Sequence, residues 1–109
     1  MSLDVSALAE RMLGAARDVL AAKWPEIEDY AEGETKKLAQ SLAAIEKLRV
    51  RGQITEEQAR LHLDIQKNAS RTVLLTLEGL GLLAAEQAIN AALTAVKDTV
   101  NTALGFALI

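Results

Sequence analysis

A helix drawn straight through residues 56–104 would have to change sides with respect to water halfway along, and this constrains the fold more than any other feature of the chain. In its first half Glu57, Arg60, Asp64, Lys67, Arg71 and Glu78 share one angular sector of the helical wheel. Continued without a break, that sector is occupied by Leu82, Ala85, Ile89, Val96 and Val100, while the polar stripe moves to Glu86, Asn90, Lys97 and Asn101. Gly79 and Gly81 sit at the changeover. Either the chain breaks at the glycines and starts a separate fourth helix near Leu82, or one long helix leaves its own bundle and buries its far end in a partner.

Charge favours the second alternative slightly, because residues 72–109 carry only Glu78, Glu86, Lys97 and Asp98. A monomer of 109 residues has little core with which to cover Leu74, Leu75, Leu77, Leu80, Leu82 and Leu83 together. Exposed apolar surface of that extent marks an interface, and two-fold self-association is its commonest use. The expectation is a homo-oligomer joined through the C-terminal half at Leu74, Leu75, Leu82, Ala85, Ile89, Val96 and Val100.

Upstream, Leu8, Met12, Ala15, Val19 and Ala22 recur at spacings of three and four and form an apolar stripe. Asp4 or Ser6 is placed to cap that helix. Pro25 lacks the N–H that a helix interior must donate but suits a first turn, and Glu26, Glu28 and Asp29 follow it where acids favour a helix start. A second helix is therefore expected to begin at Pro25, with a sharp kink as the alternative. Ile27, Ala31, Leu38, Leu42 and Ile45 form its inner face. Gly52 then suits a left-handed helix end, and Thr55 with Gln58 has capping-box spacing. A turn this tight between amphipathic helices makes an antiparallel hairpin, and Leu61, Ile65, Ala69 and Val73 are expected to meet the second helix.

The fold class expected is all-α: an antiparallel helical hairpin or bundle of three or four helices, completed by oligomerisation. Its helices span about 6–23, 25–50, 55–78 and 82–104 of a single domain, with the last two separate or continuous. An apolar half built from Ala and Leu, with only Trp24, Tyr30 and Phe106 as large rings, argues against a sheet.

The chemistry-bearing residues are sparse. Glu34 interrupts the inner stripe of the second helix, and a buried carboxylate must be paired, metal-bound or protonated. Counting back from the hairpin turn sets it opposite Ser70 and Arg71, and sets His62 opposite Leu42 and Glu46. Glu28 and Glu32 are spaced to hold a cation between them, and Glu78 adds a further carboxylate. Bundle di-iron centres draw on Glu-x-x-His pairs from facing helices, and this chain has none. A metal-binding, ferritin-like carboxylate bundle using Glu28, Glu32, Glu34, His62 and Glu78 is thus a secondary reading. No serine sits in a nucleophile elbow, and Gly79-Leu80-Gly81 lacks the spacing of a phosphate loop, so no catalytic residue and no cofactor are expected.

A net charge of −3 without a basic cluster is a poor match for nucleic acid. The chain has no cysteine, which excludes disulfides and thiolate ligands and suits a reducing cytoplasm, and its N-terminus has no signal-peptide pattern. The stretch 79–96 contains Glu86, Gln87 and Asn90, which oppose membrane insertion, leaving a small membrane-associated assembly as a third reading. The leading expectation is a non-enzymatic oligomerisation or protein-interaction module.

Overall fold

The computed structural model describes residues 3–77 and 80–109, apart from the side chain of Ala22. Five α-helices account for most of them: α1 (Val5–Val19), α2 (Trp24–Val50), α3 (Glu56–Leu75), α4 (Leu82–Ala95) and α5 (Lys97–Leu104). They pack as a compact all-α bundle. Its longest extent, 42 Å, is about that of α2, whose 27 residues rise roughly 40 Å at ~1.5 Å each.

The N-terminus of α1 is capped by Asp4, whose carboxylate accepts from the Ala7 N–H at 3.2 Å. Leu8, Met12, Ala16 and Leu20 follow at intervals of four and are all buried. The helix stops at Val19, and a single 3-10 turn, Ala21–Lys23, leads into α2 with Pro25 in its first turn. The first helix therefore ends four residues earlier than expected and the second starts one residue earlier, with a break in place of the alternative kink. Along α2 the inward positions include Trp24, Ile27, Ala31, Glu34, Leu38, Leu42 and Ile45, at the spacings of three and four of packed bundle helices, with Thr35, Ala39 and Glu46 buried beside them.

The α2–α3 joint is a Schellman turn. Gly52 is left-handed at φ 67, its N–H donates to Arg49 O, and the Gln53 N–H donates to Leu48 O. Thr55 and Gln58 then form the reciprocal capping box that opens α3.

The inward face of α3 is not the one expected from its apolar residues. Ala59, Leu63, Ser70 and Leu74 are buried, whereas Leu61 and Ile65 are 61% and 66% exposed and Ala69 is exposed too. The α2–α3 contact is instead partly polar. Ser41 donates to the Gln66 side-chain carbonyl at 3.4 Å, and the Gln66 amide donates to Ser70 Oγ at 3.2 Å. Satisfying these groups across the seam allows polar residues to occupy the dry side.

The last segment divides. Helix α3 ends at Leu75, α4 begins at Leu82, and a further break at Val96 separates α5; among the described residues between α3 and α4, Thr76, Leu77, Leu80 and Gly81 are not helical. The inverted polar and apolar sectors belong to two different helices facing two different neighbours. Helix α1 packs against α2 and α4, α3 lies between α2 and α4, and α5 reaches α2. Arg11 midway along α1 donates to Ala95 O and Thr99 Oγ1, while Ala16 and Leu20 near its end share a cavity with Ala88, Ile89 and Ala92. α1 and α4 are therefore antiparallel, closing a four-helix ring that α5 extends. Gly105, left-handed at φ 78, ends α5. Beyond it Asn101 Oδ1 accepts from the N–H groups of Leu108 and Ile109.

Candidate functional site

The five carboxylate and imidazole candidates do not assemble. Glu28 and Glu32 are exposed on α2, and Glu78 lies outside the described residues. Glu34 is 6% exposed, accepts a 3.0 Å ion pair from Lys37 one turn along the same helix, and leaves its second oxygen buried without a protein partner. Arg71, expected opposite Glu34, turns the other way and pairs with Glu86 of α4 at 3.3 Å. His62 is half-buried with Nδ1 unpaired. Glu34 is level with Leu74, which lines the same small cavity, and His62 lies twelve residues from Leu74, about 18 Å along α3. Among the described residues no three His, Asp or Glu side chains converge as metal ligands do.

The cavity beside Glu34 is lined by Ala16, Leu20, Ala31, Thr35, Leu38, Leu74, Ala88, Ile89 and Ala92 and holds about 20 Å³, space for roughly one water. Thr35 turns its hydroxyl back to Ala31 O, and among the described residues Glu34 is the only ionisable group on that lining.

A second buried carboxylate, Glu46, was not anticipated. It is 5% exposed, and one oxygen accepts from the Leu3 N–H at 2.7 Å, tying the start of the chain to α2. Its spacing of four from Leu42 was the available signal. The clamp on the last residues was also missed: Phe106 lies 5.1 and 5.6 Å from the guanidinium carbons of Arg49 and Arg60, and Arg60 donates to Ala107 O.

The expected interface residues fall into two groups. Leu74, Ala85, Ile89, Val96 and Val100 are buried within the chain itself, covered by its own helices. Leu75 and Leu82 remain open, and Leu83 beside them is 68% exposed. With Val19 and Tyr30 they mark one end of the bundle, where α1 and α3 finish and α2 and α4 begin. Among the described residues no helix is long and apolar enough to cross a membrane. Comparison with known proteins found no matching family model, no similar curated protein and no similar solved structure.

Proposed function

We propose that this chain is a non-enzymatic helical interaction module that associates with protein surfaces, its own copies included, through the apolar end of the bundle. The observation that supports this reading is the set of exposed aliphatic side chains at that end: Val19, Leu75, Leu82 and Leu83. Single exposed leucines are ordinary, but several at the same end of the bundle favour association there. Leu74, Ala85, Ile89, Val96 and Val100 are already engaged in the protomer core, so the docking surface is smaller than the whole segment. A cysteine-free, mildly acidic module suits the cytoplasm.

The test replaces Leu82 and Leu83 together with glutamate and reads mass by light scattering across a concentration series. Both side chains are more than half exposed, so the expected result is unchanged helicity with a smaller average mass. If the parent chain is monomeric at every concentration and captures no partner that L82E/L83E loses, the reading is abandoned.

A further inference from the structure

Residues 106–109 follow α5 without helical structure and fill a cleft at the hairpin end of the bundle, away from the end that carries Leu82 and Leu83. Phe106 is half-buried, Ala107 is exposed and Leu108 is buried. Each of the two apolar side chains has its own seat. The Phe106 ring lies against the guanidinium groups of Arg49, near the end of α2, and Arg60, near the start of α3. Leu108 shares a recess of about 300 Å³ with Leu63 of α3 and Leu93 of α4, both buried.

Among the described residues, every hydrogen bond of this segment is made to a side chain. Arg60 donates to Ala107 O, Asn101 Oδ1 accepts from the N–H groups of Leu108 and Ile109, and the Asn101 amide donates to Ile109 O. The groups that form the seat, Arg49, Arg60, Leu63, Leu93 and Asn101, all stand on helices. The caps described for those helices, at Gly52, Thr55 and Gly105, lie outside residues 106–109. Seat and occupant are therefore separable. Main-chain groups held by fixed side chains, with a separate pocket for each of two residues two apart, are the means by which domains read a peptide segment.

We propose that this cleft is a peptide-binding site which residues 106–109 occupy as an autoinhibitory strap, and that its partner is a segment of another protein carrying phenylalanine and leucine two residues apart. The chain's own Phe106-Ala107-Leu108 shows the chemistry the cleft accepts. The recess also reaches Lys67, Asn90 and Thr94, so a segment that continues into it gains polar contacts beyond those of the strap. An incoming segment competes with the strap, and its apparent affinity falls by the fraction of time the cleft is open. This site is distinct from the apolar end of the bundle, and neither needs the other.

The test uses the full chain, labelled with ¹⁵N, and the peptide acetyl-Gly-Phe-Ala-Leu-Ile-amide. Phe106→Ala with Leu108→Ala weakens the strap and leaves every residue of the seat in place. The amide signals of Leu63, Leu93 and Asn101 are expected to shift on titration, with a dissociation constant at least about tenfold lower than in the parent chain. Phe106→Ala alone, at a half-buried site, is expected to fall between the two. Adding Arg60→Ala to the double variant removes one wall and one main-chain bond and weakens binding roughly fivefold. The reversed peptide acetyl-Ile-Leu-Ala-Phe-Gly-amide is expected to shift nothing.

Four outcomes overturn the proposal: no shifts in a folded strap variant up to millimolar peptide, equal affinity in parent and variant, an equal response to both peptides, or strap variants that associate with one another instead of binding peptide. Loss of the parental circular dichroism in both strap variants would also overturn it, by showing that the strap belongs to the core. L82E/L83E is expected to leave peptide binding unchanged, so failure here and failure of the apolar end are read separately.

Discussion

Glu34 places a carboxylate among aliphatic side chains with one oxygen on Lys37 and the other without a hydrogen-bond partner among the described residues. Removing an ion from water is costly, and a single pair made with a half-exposed lysine returns little of that. Glu34→Leu keeps the volume and removes the desolvation. The expected outcome in urea unfolding is a gain of about 1 kcal/mol. Lys37→Ala moves the other way, because it strips the carboxylate of its cation, and its unfolding midpoint falls below the parental value. A loss of stability in Glu34→Leu would show that the carboxylate has a polar partner which outweighs its burial.

At the scale of the element, glycine separates two situations. Gly14 and Gly33 lie inside α1 and α2, and a methyl group built on either meets nothing within 4 Å. Gly14→Ala and Gly33→Ala are each expected to add about 1 kcal/mol by restricting the unfolded chain and favouring the helix. Gly52, also unobstructed, is left-handed, so Gly52→Ala costs about 1 kcal/mol in the same assay. Thr55→Ala, which removes the capping box, costs about the same. The α2–α3 joint could be read from the residues alone because Gly52, Thr55 and Gln58 act on their immediate neighbours. The face of α3 could not. Its apolar residues Leu61 and Ile65 turn outward while Gln66 and Ser70 turn inward, and the hydrogen bonds that permit this come from Ser41 on another helix. The break at Val96 was equally hidden: Val96 is a buried valine with no glycine or proline beside it. Glu34 was legible as an intruder in an apolar stripe, but its partner was not, since helix register placed Arg71 nearby and only the packing of α4 shows Glu86 drawing it away.

For the whole molecule, the decisive contrast lies between residues of the same segment. Val100 is fully buried, so Val100→Ala should cost about 2 kcal/mol in lost burial and residual cavity. Leu82→Glu, at a half-exposed site, should leave the unfolding midpoint of the isolated protomer within about 0.5 kcal/mol of parental. Equal damage from both, measured under dilute conditions, would mean that the protomer is not the folding unit. The ring closes between α1 and α4, the first and the fourth helices, and the hairpin between them is joined partly by amide and hydroxyl groups rather than by grease. A nascent chain emerging from the ribosome can therefore pack α1 against α2, but the α4 side of Ala16 and Leu20 stays open until residues 85–93 have been synthesised. A truncation that omits α4 leaves the ring open along α1 and α3 and is expected to lower the unfolding midpoint.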